Sequence, residues 1–450
     1  MKGLQEELKA QFKELIGVDL EKKQIMKRYE KYKESNVPWL GETPEHWGKE
    51  RIKHCFNERV EKGFPEEPLL SATQSSGVIP QSLYANRVVT AQKDLHLLKL
   101  VEVGDFVISL RSFQGGIEYA YYRGIISPAY TVMTPHSISR GYFRYLAKSK
   151  DFIGLLQTCV TGIREGQNID YKALKNNRLP IPSAEEQAQI VRYLDWKVAL
   201  ADKFVADRRK LIELLKEYRQ AEINKAVTKG LNHDAPMRNS GIDWIGDVPA
   251  HWVKYSLSQA TEEYKCSNKY IQNNNLLSLS YGEVISKDIN KTDGLLPASF
   301  NNYQVVKHGI IVLRLTDLQN DQKSLRVGLS KKEGILTSAY TYLKCKDYVS
   351  PEFTHLLLHS YDIRKVFYGM GGGLRQSLSY QELRKLSLFA PSQAEQQQIA
   401  AYLDTISERV KKAIEDIEQQ IKLVVEYKTT LISHVVTGKV DVRGIEIQKI

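Results

Sequence analysis

The chain contains one eleven-residue phrase twice, and this duplication constrains the fold more than any other feature. Residues 37–47 read VPWLGETPEHW, and residues 242–252 read IDWIGDVPAHW. Matching Trp, Gly, Pro, His and Trp residues recur 205 positions apart, and the two copies hold four of the five tryptophans. Because rare residue types in one register do not recur by chance, the sequence predicts two related halves.

A second phrase is also duplicated, and it predicts where two helices begin. PIPSAEEQAQIVRYLD (180–195) returns 209 positions later as FAPSQAEQQQIAAYLD (389–404). In each copy a serine, Ser183 or Ser392, is followed three positions later by a glutamate. In this pattern, a capping box, the serine hydroxyl accepts from an amide of the first helical turn and the glutamate reaches back to the serine amide.

Apolar residues continue each capping box with helical spacing. From 399 to 435 they recur in steps of three and four, as in a coiled coil, with one interruption at Lys428. The pattern from 190 to 218 is rougher but similar in length, and both helices end at a glycine, in AVTKG (226–230) and VVTGK (435–439). A helix from Ser183 to Lys229 is about 70 Å long. The two helices are predicted to pair antiparallel and to fix the distance between the globular parts.

The segments before each helix are predicted to be mixed α/β. Short apolar runs alternate with turn residues, and the runs recur between the halves. They lie at 95–110 and 124–133 in the first half and at 303–315 and 334–343 in the second. Between these runs the halves differ in length and residue type, as expected of two modules that recognise different things.

The predicted fold class is α+β, with two globular mixed α/β domains separated by two long antiparallel coiled-coil helices and an internal pseudo-two-fold repeat. The predicted boundaries are a charged N-terminal helix over 1–35, a first domain over 36–182, a central helix over 183–230, a second domain over 231–391, a second helix over 392–438 and a tail over 439–450.

Composition narrows the class of protein. No apolar run reaches the roughly 18 residues of a membrane span, and the first residues are too charged for a signal peptide. The four cysteines are scattered, which predicts neither a disulfide framework nor a zinc site. These features predict a cytoplasmic protein. The net charge of +11 favours a polyanionic partner, though only weakly.

A search for catalytic motifs returns little. There is no G-x-x-x-x-G-K-[ST] phosphate loop and no Asn-Pro-Pro or Asp-Pro-Pro followed by an aromatic residue, the usual loop for amino-methyl transfer to a base. His355 and His359 lie one helical turn apart, but no third ligand is nearby in the sequence. We therefore expect no cofactor, no metal site and no catalysis by the chain alone.

Polar loops after matching strands offer binding chemistry instead. Arginine can bond bidentately to guanine, asparagine and glutamine to adenine, and an acid can accept from cytosine. The alternative interpretation is that these are ordinary solvated surface loops. The candidate DNA-binding residues in these loops are Arg111, Ser112, Gln114, Tyr122, Arg123, Arg164, Gln167, Arg314, Asp317, Gln319, Asn320, Arg326, Arg375 and Gln376.

Taken together, these motifs resemble the specificity (S) subunits of type I restriction–modification systems. The resemblance is carried by W-[IL]-G-x-x-P-x-H-W, by ISLRSFQGG with SPAY, by LRLTDLQND with SAYT, and by P-S-x-x-E-Q-x-x-I-x-x-Y-L-D, and it extends from about residue 36 to 440. It implies two target-recognition domains, each reading half of a bipartite site in double-stranded DNA. It also implies that methyltransferase (M) subunits, expected to be two, and restriction/translocase (R) subunits supply the chemistry.

Two other classes remain as alternatives. A coiled-coil scaffold could bind two protein partners through the same globular domains. DNA binding weakens steeply with salt because counterions are released, whereas scaffold binding does not, so salt dependence separates the two. An enzyme acting alone is disfavoured by the motif search.

Overall fold

The chain divides into two compact units, and each is described by itself. The first unit comprises residues 1–209 with 417–450, and the second comprises residues 210–416. The computed structural model describes residues 27–84, 94–161, 168–271, 273–288, 299–318, 325–370 and 377–447.

The first unit contains short strands and short helices before one long helix. Its strands are β1 (Tyr32–Glu34), β2 (Glu42–Pro44), β3 (Gly48–Arg51), β4 (Phe56–Arg59), β5 (Leu70–Thr73), β6 (Gly77–Pro80), β7 (Lys99–Val101), β8 (Phe106–Ile108), β9 (Glu118–Tyr119), β10 (Gly124–Ile126), β11 (Thr131–Pro135), β12 (Val160–Thr161), β13 (Asn168–Ile169) and β14 (Arg178–Ile181). Its short helices are α1 (Ser112–Gly115), α2 (Arg140–Leu146), α3 (Lys150–Thr158) and α4 (Tyr171–Leu174).

The centre of the first unit is a four-stranded antiparallel sheet in the order β4-β11-β8-β9. Val132 of β11 pairs with Arg59 on one side and with Val107 on the other. The remaining strands form two-stranded antiparallel pairs: β1 with β2, β3 with β14, β5 with β6, β7 with β10 and β12 with β13. Phe106, Phe143 and Phe152 are fully buried in the adjoining core.

The second unit repeats this composition. Its strands are β15 (Met237–Asn239), β16 (Asp247–Pro249), β17 (Val253–Ser256), β18 (Thr261–Glu263), β19 (Leu277–Ser280), β20 (Glu283–Ser286), β21 (Gln304–Val306), β22 (Ile311–Leu313), β23 (Val327–Leu329), β24 (Gly334–Leu336), β25 (Thr341–Cys345) and β26 (Ser387–Ala390). Its short helices are α6 (Leu257–Ala260), α7 (Pro351–Ile363) and α8 (Tyr380–Leu383). The long helices are α5 (Ala184–Lys229) and α9 (Gln393–Val436).

The strand pairing of the second unit matches that of the first, except that no described pair corresponds to β12–β13. Its four-stranded sheet has the order β18-β25-β22-β23, and β15–β16, β17–β26, β19–β20 and β21–β24 form the two-stranded pairs. Val312 of β22 pairs with Tyr342 on one side and with Gly328 on the other, as Val107 of β8 pairs with Val132 and Glu118. The two units therefore share one strand topology, as the duplicated sequence predicts.

The two long helices begin and end where the sequence predicts, and they run antiparallel within each unit. In the first unit, Asp202 of α5 forms an ion pair with Lys428 of α9 at 2.6 Å. Six residues later in α5, Arg208 Nε donates to Gln420 Oε1 at 3.3 Å, and Gln420 lies eight residues earlier in α9 than Lys428. Lys428, which interrupts the apolar spacing, therefore lies at an ion pair. Phe204 and Val424 are buried between these contacts.

In the second unit the other ends of the same helices pair in the same sense. Arg219 Nε donates to Ser407 Oγ at 3.2 Å, and Tyr402 Oη donates to Glu222 at 2.7 Å. Four apolar positions of α9 are buried here, Ile399, Leu403, Ile406 and Val410, with Leu403 only 1% exposed, whereas Ile414 is half-buried.

In the first unit, the duplicated opening phrase contacts both the start of α5 and the end of α9. Glu186, in the first turn of α5, lies 2.9 Å from His46 Nε2 and accepts from Tyr29 Oη at 2.6 Å. Trp47 is 1% exposed, and Gly438, which follows α9 at φ +75°, packs against its ring. The Pro-x-His-Trp end of the phrase thus contacts both long helices.

The same joint occurs in the second unit. His251 Nε2 lies 2.8 Å from Glu395 in the first turn of α9, and Trp252 Nε1 donates to Glu395 at 3.2 Å. Gly230 follows α5 at φ +74° and would meet the Trp252 ring and the Glu395 carboxylate if it carried a Cβ. One joint built twice explains why both phrases and the helix-ending glycines recur in the sequence.

The capping boxes are confirmed only in part. Ser183 Oγ accepts from the Glu186 amide at 3.2 Å, and Ser392 Oγ accepts from the Glu395 amide at 3.4 Å. The two glutamate side chains bond to the histidines of the opening phrases rather than to the serine amides, because a buried joint lies on that side of the helix.

The prediction of one charged helix over residues 1–35 is wrong at its end. Tyr32–Glu34 form strand β1, which pairs with β2 just as Met237–Asn239 pair with β16. These strands lie 205 positions apart, so the duplication begins before residue 36. Residues 1–26 lie outside the described part of the chain.

Candidate nucleic-acid interface

The first predicted loop begins after the inner strand β8 and includes helix α1, which is separated from β8 by three residues. Arg111 is the residue preceding the helix and is exposed, as is Gln114. Ser112 is only 1% exposed, and its hydroxyl accepts from the Ser109 amide at 2.9 Å. Two of the three predicted side chains on this turn are therefore available to a ligand.

The hairpin β5–β6, which holds none of the predicted site residues, lies against α1. The Gln74 side chain, in the turn between β5 and β6, donates to the Arg111 carbonyl at 3.5 Å and contacts Gly115. Lys148 Nζ donates to the carbonyls of Gly115 at 2.9 Å and Gln74 at 3.3 Å. One ammonium group thus joins the hairpin turn to the end of α1.

The same lysine forms an ion pair beneath this surface. Glu118 is 1% exposed and lies 2.6 Å from Lys148 Nζ. Burial raises the pKa of Glu118 to about 7, while the Lys148 ammonium opposes the rise. The pair therefore supports the two loops from within the unit.

Tyr122 and Arg123 lie at the end of the same predicted loop and are exposed, Tyr122 by 43%. Arg123 already forms ion pairs with Glu67 at 2.8 Å and with Glu102 at 2.5 Å. A phosphate at Arg123 would compete with two carboxylates, which makes this arginine a weaker candidate than Arg111.

In the second unit, Arg326 is an internal support rather than a surface group. It is 0% exposed, and its guanidinium donates to the main-chain carbonyls of Arg314, Thr316 and Asp317 at 2.8–3.1 Å. Its Nε donates to Tyr368 Oη at 2.9 Å. A buried arginine that holds three carbonyls fixes the loop after β22, where Asp317 adopts φ +56°.

The predicted DNA contacts of Ser112 and Arg326 stay predictions, but burial of both side chains disfavours them. Arg111, Gln114, Tyr122, Arg123, Arg314 and Asp317 are at least partly exposed and remain predictions. Arg164, Gln167, Gln319, Asn320, Arg375 and Gln376 lie outside the described residues.

The hairpins could have been found from the sequence. LLSATQSSGVIP (69–80) and LLSLSYGEVIS (276–286) each place a glycine-containing turn between short apolar runs, the usual hairpin signal. The turns are unlike, QSS in one and YG in the other, so the repeat is visible only once the strands are aligned.

His355 and His359 form a buried pair on α7. Burial lowers the pKa of His355 to about 3 and that of His359 to about 4, and repulsion between the two adds to the effect at His355. His359 Nε2 lies 3.1 Å from Gln220 Oε1 of α5. Within the described ranges, no cluster of three or more His, Cys, Asp or Glu residues could hold a metal ion.

None of the helices in the described part of the chain combines the length and apolarity needed to span a bilayer. No protein-family model matches the chain.

Two curated relatives come from Methanocaldococcus jannaschii. The type I restriction enzyme MjaVIII specificity subunit is 30% identical over 184 residues, which cover 39% of this chain and 40% of that protein. The putative type I restriction enzyme MjaX specificity subunit is 22% identical over 453 residues, covering 92% of this chain and 98% of that protein.

Solved structures show a shared fold. The HsdS subunit from Thermoanaerobacter tengcongensis superposes with a TM-score of 0.50 at 14% identity, over 88% of this chain and 98% of that chain. A chain from a study of complex assembly and conformational transition of the type I R-M system gives a TM-score of 0.57 at 14% identity, with the same coverage. The chain is thus similar along nearly its whole length to a putative type I restriction enzyme specificity subunit, and it shares an α+β fold with the solved structures.

Proposed function

We propose that the chain reads a bipartite sequence in double-stranded DNA for a type I restriction–modification complex and is itself non-catalytic. The observation that carries this proposal is that one strand topology, built twice, carries different side chains in corresponding loops. A shared scaffold with divergent loops suits two modules that each recognise a different half-site.

The first half-site is assigned to the surface formed by α1 and the loop before β10. Arg111 and Gln114 are exposed on one helical turn, and Tyr122 is exposed on the loop before β10. Arginine can bond bidentately to guanine and glutamine to adenine in the major groove. These side chains therefore have the chemistry for direct base recognition, while the +11 net charge favours the phosphate backbone.

The second half-site is assigned to the loop after β22. Arg314 and Asp317 lie on this loop, whose main chain is fixed by Arg326. A fixed loop presents its side chains with little loss of conformational entropy on binding. The proposed target-recognition domains are residues 36–182, extended at its start by strand β1, and residues 231–391, which already contains the corresponding strand β15.

The long helices are proposed to set the gap between half-sites and to dock two M subunits, with R subunits joining through the complex. Apolar side chains remain exposed along both helices, as expected of a docking surface. They are Leu214 and Tyr218 of α5, and Leu423 and Val425 of α9, between 43% and 50% exposed.

The test pairs the full chain with its cognate methyltransferase subunits and records methylation of a randomised duplex library. Arg111→Ala should relax the sequence preference in one half-site, and Arg314→Ala should relax it only in the other. A direct base contact is worth roughly 1–3 kcal/mol of discrimination, so each change is measurable. Equal weakening for every sequence would show that these arginines contact phosphates.

Salt dependence separates DNA recognition from the scaffold alternative. Affinity for duplex DNA should fall steeply between low and physiological salt as counterions are released. Salt-independent association with the methyltransferase, without affinity for DNA, would favour a protein scaffold. Methyl transfer by the purified chain alone would contradict the non-catalytic role.

A further inference from the structure

The hairpins β5–β6 and β19–β20 are anchored at corresponding places in the two units. Leu69 forms a parallel bridge with Ile125 in the first unit, and Leu276 forms one with Ile335 in the second. The residue preceding each bridge partner is a glycine, and a Cβ there would overlap a backbone carbonyl of the hairpin segment. Such close backbone packing leaves each hairpin little freedom to move relative to its sheet.

In the first unit the hairpin tip is polar and adjoins α1. Gln74, Ser75 and Ser76 form the turn, and all three are exposed. Lys148 holds the Gln74 carbonyl, and the Gln74 side chain reaches the carbonyl of Arg111. The tip and the exposed turn of α1 therefore form one continuous polar surface.

In the second unit the tip is a two-residue turn with an aromatic side chain. Tyr281 and Gly282 both have positive φ, +47° and +82°. Turns of this kind favour Asn-Gly or Asp-Gly, and a bulky residue there costs about 1 kcal/mol. Tyr281 is also 85% exposed, so the ring gains no compensating burial. Neither folding nor packing accounts for a tyrosine at this position.

The second tip lies beside the segment that fixes the loop after β22. A Cβ on Gly282 would come within 3.3 Å of the Leu325 side chain and within 3.5 Å of the Val327 carbonyl. Arg326, between these two residues, holds the carbonyls of Arg314 and Asp317. The aromatic tip and the proposed recognition loop are thus supported by the same short segment.

We propose that the two hairpin tips are a second DNA-reading element in each unit, polar in the first and aromatic in the second. The proposal rests on the function proposed above and adds residues to it. The major groove admits a two-stranded β-ribbon. There the Gln74 amide can pair with adenine, and the Tyr281 ring can pack on a thymine methyl group while its hydroxyl bonds to a base edge.

The experiment uses the full chain with its cognate methyltransferase subunits and a randomised duplex library. Tyr281→Asn removes the ring at a position where asparagine tolerates positive φ, so the fold should be retained or stabilised. We expect the preference at one or two positions of the second half-site to fall at least about fivefold, with the first half-site unchanged. Gln74→Ala should relax only the first half-site.

Two further variants sharpen the result. Tyr281→Phe keeps the ring and should retain any preference for thymine, losing only the part that depends on the hydroxyl. Tyr270→Asn is the matched control, because Tyr270 is 84% exposed in the same unit but lies outside the hairpin. Its preferences should equal those of the wild type.

The outcomes distinguish the hairpin proposal from the function on which it rests. If the wild-type complex selects a bipartite sequence while Tyr281→Asn and Gln74→Ala leave every position unchanged, the hairpins do not read DNA. Uniform loss at all positions, matched by Tyr270→Asn, would equally overturn the proposal. If the wild type selects no sequence, the proposed function itself fails.

Discussion

His46 Nε2 lies 2.9 Å from a carboxylate oxygen of Glu186, although the two residues are 140 positions apart in the chain. The second unit repeats the relationship between His251 and Glu395 at 2.8 Å. In both units a residue of the opening phrase bonds to the first turn of a long helix. In each unit, therefore, the opening phrase and the phrase that begins the long helix form the two sides of one joint.

Removing Glu186 should loosen the joint of the first unit. Its side chain is 4% exposed and bonds to both Tyr29 and His46, so Glu186→Ala leaves two polar groups without their partner. We expect a loss of about 1–3 kcal/mol in the free energy of unfolding, measured by denaturant titration. Glu185→Ala, one residue earlier and exposed, is the control and should lose less stability, because the joint keeps its carboxylate.

The glycines that follow the two long helices provide a matched pair. Gly438 and Gly230 have nearly equal φ, +75° and +74°, so alanine should cost about 1 kcal/mol at each from backbone strain. At Gly438 the new Cβ would also overlap the Pro44 ring, whereas at Gly230 its nearest neighbours are 3.4 Å away or more. Thermal unfolding should therefore show a larger drop for Gly438→Ala. Equal drops would mean that the joint of the first unit can shift to accommodate a methyl group.

The buried histidines predict that the second unit loses stability in mild acid. The folded pKa values of His355 and His359, about 3 and about 4, lie below the ordinary value of 6.5. Between pH 6.5 and the folded pKa values, the unfolded chain binds more protons than the folded one. The contribution of the neutral histidines to the free energy of unfolding is therefore fully present above pH 6.5 and falls as the pH is lowered toward 4. Thermal unfolding measured from pH 7.5 to 4.5 should show this decline.

The control for this pH dependence is His355→Leu, which fills the buried position without a titratable group. The variant should show a visibly shallower decline over the same pH range, whatever its stability at pH 7.5. A decline as steep as that of the wild type would assign the acid sensitivity to other groups.

The repeated pattern of the sequence was sufficient to predict the frame of the molecule. Capping serines, apolar spacing and terminal glycines placed α5 and α9 to within two residues, because each signal is local and depends on helix geometry alone. The strands around 106–108 and 311–313 followed from short apolar runs. Strand β1 was missed because YKE carries no apolar pattern, and its pairing with β2 is a tertiary contact.

The candidate site was harder to predict, since side-chain direction depends on packing. Arg326 looks like a surface arginine in the sequence, yet it turns inward to hold carbonyls of its own loop. Ser112 is buried for the same reason, as its hydroxyl accepts from the Ser109 amide. The tip of the first hairpin was not predicted as part of the site because Gln74 contacts α1 through a tertiary hydrogen bond, to the Arg111 carbonyl.

The proposed spacing role of the helices predicts the effect of an insertion. Four residues added after Arg209, inside α5, contribute about 6 Å of rise with a small net rotation. One base pair occupies about 3.4 Å, so the gap between half-sites should grow by one or two base pairs while both half-sites keep their sequences. Methylation mapping of the insertion variant against the parent measures the gap. An active variant with an unchanged gap would mean that the helices connect the units without setting their spacing.

The most direct test of bipartite recognition is to map every methylated base in cells that express the chain with its cognate methyltransferase. We predict one sequence with two specified half-sites separated by a constant number of unspecified bases. It also predicts that methylation at this sequence disappears when the chain is omitted. A single contiguous motif, or the same methylation without the chain, would contradict the claim that its two units each read half of a DNA site.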